Sequence, residues 1–137
     1  MEKKLKHLEM IQNVITRLAN NSFSLKGWTV IFIAAVLGFA IKESDSNYIP
    51  LVLLPIFTFW GLDGYYLRQE KLFRALYGKV RKLDEQDITF EMDTSSVEDE
   101  VASWVSVCIS RTILGFYGPI FIVILVLIFI SMIRILK

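Results

Sequence analysis

Residues 113–133 read ILGFYGPIFIVILVLIFISMI, twenty-one consecutive positions without a charge. At about 1.5 Å per residue a helix of that length rises ~30 Å, the thickness of a bilayer's hydrocarbon core. The stretch predicts a membrane-crossing helix, because a segment surrounded by lipid must satisfy its backbone polar groups within itself. Gly115, Gly118 and Pro119 predict a bend near its start.

Two further blocks have the same character. Gly27–Ile41 carries no charge, and the stems of Lys26 and Lys42 extend it toward both interfaces by snorkelling. Trp28 sits where an interfacial aromatic belongs. Tyr48–Leu67 is interrupted only by Asp63. Pro50 suits a first helical turn, whereas Pro55 is expected to kink the helix interior. The polar KESDSN, residues 42–47, joins the two blocks into an antiparallel hairpin. Thr29, Thr58 and Ser131 are expected to bond back to their own helices.

Composition agrees. Apolar residues make up 54% of the 137, above the soluble average, and they are concentrated in these blocks. A net charge of +1 offers no basic field for nucleic acid. One cysteine, Cys108, and one histidine, His7, exclude an internal disulfide and a closed zinc site built from them alone.

The N-terminal segment places Leu5, Leu8, Ile11, Ile15, Leu18 and Ser22 on one helical face. It reads as an amphipathic helix over 1–22, with His7 on its exposed side, ended by Asn20, Asn21 and Ser22. It lacks the apolar run and cleavage site of a signal peptide. After the second block, RQEKLFRALYGKVRKL continues helically with six bases, Arg68, Lys71, Arg74, Lys79, Arg81 and Lys82, against the single acid Glu70. The sign then reverses: between Asp84 and Glu100 lie eight acids and no base. These blocks are expected to attract one another, within a chain or between subunits, or the basic helix meets anionic headgroups. ITFEMD, residues 88–93, reads as extended. Ser95 and Glu98 fit a capping box for a helix from about Val97, with Val101, Trp104, Val105, Cys108 and Ile109 along one side.

Basic residues fix the expected orientation. Residues 1–26 hold five and residues 68–111 seven, against Lys42 in the hairpin loop and Arg134 and Lys137 in the tail. The positive-inside rule puts the N-terminus in the cytoplasm and the C-terminus in the periplasm or outside. Asp63 then falls near the cytoplasmic end of the second span, beside the anchors Tyr65, Tyr66 and Arg68. There it pairs with Arg68, Lys26 or Arg111, or keeps its water, or, in a ring of subunits, lines a pore mouth. Gly61 and Gly64, and the Ala34-x-x-x-Gly38 pattern, permit close helix approach at such an interface. No phosphate loop, catalytic triad or nucleotide fingerprint occurs, the acids lack calcium-loop spacing, and Cys108 reads as core, so no enzyme, cofactor or metal is expected.

The runs HLEMIQNVITRLANNSFSLKGW, LPIFTFWGLDGYYLRQEKLFRALYGKVR and FEMDTSSVEDEVASWVSVCISRTILGFYG resemble the small bacterial inner-membrane proteins of the RipA-like family over nearly the whole chain. The resemblance implies a cytoplasmic-membrane protein assembled as a homo-octamer. The expected protein is thus mainly α: a helical integral membrane protein with an amphipathic helix (1–22), a two-span hairpin (25–67), a charged cytoplasmic subdomain (68–111) and a third span (113–133). Its expected partners are the lipid bilayer, itself and a cytoplasmic protein. Its expected role is an oligomeric scaffold or sensor; the alternative is a channel or membrane-perturbing effector of stress or antiphage defence with Asp63 near the pore mouth.

Overall fold

The computed structural model describes residues 1–136, the side chain of Ser46 aside, so Lys137 of the basic tail lies outside the described residues. The chain is mainly helical (85%), without strands among the described residues. Three of its helices are long and apolar enough to cross a membrane.

The first, α1, runs unbroken from Glu2 to Glu43. This corrects the expected stop at residues 20–22. At 1.5 Å per residue α1 is about 63 Å long, twice a hydrocarbon core. Asn20, Asn21 and Ser22 break a helix only where their side chains win over the backbone ladder, and Ser22 is instead buried against the next helix. Ser44 ends α1 in the left-handed region (φ 54°), where its N–H and that of Asp45 cap Ile41 and Ala40. The Asp45 carboxylate accepts from the Asn47 amide at 2.9 Å, and a 3₁₀ segment, Ser46–Val52, turns the chain.

Helix α2 (Leu53–Val80) returns antiparallel and continues into the basic segment, as its periodicity predicts. Pro55 is its third residue, inside the first turn where its missing N–H costs no bond, so no interior kink arises from it. Residues 88–93, expected to be extended, are irregular and form no strand. The helix expected from Val97 divides into three pieces. They are a 3₁₀ turn at Ser95–Glu100, the short α3 (Trp104–Cys108) and α4 (Arg111–Ile135). Ser95 bonds Asp93 at 2.9 and 2.7 Å, so the capping box does not form. Ser103 caps α3 instead. Val105 and Ile109 are consequently exposed and Val107 is buried, a shift of the apolar side from the one the spacing predicted. Helix α4 continues through Pro119.

Two cores result. At the polar end Ile11, Ile15, Leu76 and Val80 of α1 and α2 are closed over by Ile88 and Val97 of the acidic segment. Farther along, Val52, Ile56 and Ile124 pack where the 3₁₀ turn, α2 and α4 meet.

Candidate functional site

Between the two cores lies a polar cluster inside an apolar surround. Asp63 is completely buried on the face of α2 that meets α1. One carboxylate oxygen lies 2.5 Å from Lys26 Nζ, and the other accepts a hydrogen bond from Ser22 Oγ. Lys26 Nζ also donates to Ser22 Oγ at 3.1 Å, closing a three-membered network. The spacing Ser22–Lys26 is one helical turn, which stacks both groups on the same face of α1. Thr29, wholly buried on the next turn, donates to Leu25 O at 2.7 Å, the expected bond back to its own helix. Of the three cations considered for Asp63, Lys26 is the partner. Its ammonium, 5.8 Å from the Phe116 ring centre, turns inward rather than snorkelling away.

The same level is tied to the other helices through indole and phenol groups. Trp60 Nε1 donates to Cys108 O at 2.8 Å, and Trp104 Nε1 donates to Gly61 O at 3.0 Å. Tyr117 of α4 is fully buried, stacks on Trp60 and donates to Phe59 O at 3.3 Å. Gly64 faces Cys108, whose Cα lies 3.5 Å from where a Cβ would stand and whose sulfur a Cβ would strike. A Cβ at Gly61 would stand 3.4 Å from the Trp104 ring, close to an ordinary contact. Gly64 therefore lets α3 approach α2 within one chain, with Gly61 alongside. Burial, and then the Asp63 charge, push the Cys108 thiol up, away from the reactive thiolate.

Ala34 and Gly38 are exposed; Ala34 lines a cleft shared with α4, and the space around Gly38 is open. Arg68 reaches across to Glu98 at 3.3 Å and to Ala102 O at 3.1 Å, and Arg74 pairs with Glu70 one turn away at 2.8 Å. Lys71, Lys79, Arg81 and Lys82 are exposed and make no ion pair among the described residues. Attraction between the basic helix and the acidic segment is thus limited to one contact within the chain. Ile88, Met92 and Val97 hold the segment down through apolar packing, which leaves most carboxylates facing outward.

His7 corrects another expectation. It is buried, with Nε2 donating to Glu91 O at 2.9 Å and its ring 5.6 Å from that of Phe90. The imidazole fills the gap where the acidic segment crosses α1, which an isolated helical wheel cannot reveal. Glu85 belongs to the same crossing: its carboxylate accepts from the Lys3 and Lys4 amides at 2.7 and 3.3 Å and meets the Met1 amine at 2.5 Å. It supplies a cap to the positive end of α1 from across the fold. Among the described residues no group of three His, Cys, Asp or Glu side chains is placed to hold a metal ion.

Comparison with family models, with curated proteins and with solved structures finds no match to this chain.

Proposed function

We propose that the protein is an oligomeric bacterial inner-membrane scaffold or sensor, with its N-terminus and charged region in the cytoplasm and its C-terminus on the far side. Lipid placement is supported by how little apolar surface the fold hides. The most apolar windows of α1, α2 and α4 are only 11%, 22% and 17% buried, so an outside covering is required. The RipA-like resemblance adds the bacterial inner membrane and the homo-octamer.

The observation that carries the role is the continuity of α1 and α2. They leave the apolar level as a pair, joined there by Ser22, Lys26 and Asp63, and end in a packed polar-side unit. A displacement at either end is carried along two unbroken helices to the other. The charged unit exposes Lys71, Lys79, Arg81 and Lys82 together with acids of the 84–100 segment that make no ion pair among the described residues, a surface suited to a cytoplasmic protein partner. The Asp63 carboxylate is engaged on both oxygens within its own chain, which favours a scaffold over a pore lined by it.

Planar bilayers containing the purified protein test this. They are expected to stay electrically silent for the wild type and for Asp63→Asn. Crosslinking in intact membranes should capture a partner, with a yield that collapses when the acids of residues 84–100 are neutralised. A conductance whose ion preference changes with Asp63→Asn overturns the scaffold in favour of a channel.

A further inference from the structure

Helices α1 and α4 diverge, each packing on α2 and the 3₁₀ turn, and leave a cleft between them. Its deep part, about 420 Å³, is walled by Val30, Ile33 and Ala34 of α1 and by Pro119, Ile120 and Val123 of α4. Its mouth, about 610 Å³, is bordered by Ser44, Asp45, Ser131 and Arg134. Leu37 and Leu127 line both parts, so the cleft is continuous.

Its dimensions match one leaflet. From Ser44 down to Val30 is fourteen residues, and from Arg134 down to Pro119 fifteen, so both walls give a depth of about 21–22 Å at 1.5 Å per residue. Half of a ~30 Å hydrocarbon core plus the polar headgroup layer has that depth. The charges at the mouth are also distinctive. Arg134 and Asp45 border the same opening yet do not pair with each other or with another described residue. One Asp45 oxygen accepts from Asn47 N, and the second has no hydrogen-bond partner among the described residues. A lone cation would select an anionic headgroup; a cation and an anion side by side complement a zwitterion.

We propose that this cleft is a binding site for one bilayer phospholipid with a phosphoethanolamine headgroup. Its phosphate sits at Arg134, its ammonium at Asp45, and one acyl chain runs down past Leu37 and Leu127 to Ala34. The site rests on the membrane placement proposed above and lies at the end opposite the basic helix. It gives a role to Ala34 that packing within the chain does not.

The test uses the full-length protein in lipid nanodiscs of equal phosphatidylethanolamine and phosphatidylglycerol, followed by mild detergent extraction and quantification of co-purified lipid. The wild type should retain phosphatidylethanolamine over phosphatidylglycerol by about ten to one from the equal mixture, equivalent to ~1.4 kcal/mol. Arg134→Gln should abolish retention. Asp45→Asn, which keeps the oxygen that caps the turn, should retain lipid but lose the preference between headgroups. Ala34→Phe should displace the acyl chain, with helicity by circular dichroism showing the fold intact; should that variant misfold, the two headgroup variants decide alone. Retention in bulk proportion, or none from a chain that enters the discs, overturns the site alone. A chain that stays out of the discs overturns the membrane placement as well.

Discussion

Helices α1 and α2 meet twice, by different means. Toward their polar end the contact is aliphatic: Ile11 and Ile15 against Leu76 and Val80, with Ile88 and Val97 as a lid. Two turns farther into the apolar level it is polar, with Ser22 and Lys26 against Asp63. Under the membrane placement proposed above, the difference teaches what each surrounding medium rewards. In water, burying isoleucine removes apolar area from the solvent and drives association. In lipid that gain vanishes, since acyl chains are as apolar as isoleucine, and helices are held by hydrogen bonds and close packing.

The largest expected effect lies at the polar contact. Lys26→Met leaves the buried Asp63 carboxylate without its cation and should cost about 3–5 kcal/mol, read as a fall in unfolding midpoint in lipid or detergent. Asp63→Leu should cost less, because the Lys26 side chain, 22% exposed, can turn to water. Combining the two should recover most of the loss, as replacing a whole buried pair often does. A neutral Lys26→Met would mean that the pair is wet, and the contrast between the two contacts would fail.

Isoleucine truncation sharpens the contrast next. Ile11→Ala should cost about 2–5 kcal/mol, combining lost transfer from water with a cavity. Ile124→Ala removes the same atoms from the other core, but with lipid as the alternative solvent only the lost packing contacts remain. Its cost should be clearly smaller in the same unfolding series. Equal costs would place water around both cores and refute the membrane reading.

Much of this architecture is legible in the sequence because it depends on long runs. Two charge-free blocks, a third interrupted only by Asp63, and the basic continuation of that third one give three long helices, and the run of one sign after another marks the polar end. What eludes sequence reading depends on contacts between distant residues. The unbroken passage of α1 through Asn20, Asn21 and Ser22 follows from Asp63, forty-one positions away, taking up the serine hydroxyl. The burial of His7 follows from Glu91 and Phe90 crossing above it. Lys26 was one of three cations within reach of Asp63 by placement alone. Only the antiparallel register of α1 and α2 selects it. The broken helix after Val97 reflects local competition, where Asp93 claims Ser95 before a capping box forms.

Close approach supplies an effect of intermediate size. Gly64→Ala puts a methyl into the Cys108 sulfur and should cost about 1–3 kcal/mol through overpacking. Adding Cys108→Ala should restore much of it, because the obstructing atom is gone. Absence of that rescue would show that Gly64 serves a contact outside the chain, such as the subunit interface its sequence context first pointed to.

The smallest effect belongs to the aqueous end and should depend on pH. The Met1 amine, and after it the Lys3 and Lys4 amides, hold the Glu85 carboxyl below the usual carboxylate range, against the opposing pull of burial. A carboxyl whose folded pKa is lowered stabilises fully above its unfolded value and loses that contribution as pH falls through the folded one. The protection of the first-turn amides of α1, taken relative to the intrinsic exchange rate at each pH, should therefore fall as the solution is acidified through the carboxylate range. Glu85→Gln should already exchange faster near neutrality and respond less to acid. Added salt should weaken the wild-type protection, since this pair is open to solvent. A first turn whose protection is unchanged by acid, by salt and by Glu85→Gln would show that the acidic segment is held to α1 by Ile88 and Val97 alone, leaving the charge at position 85 without a part in the fold.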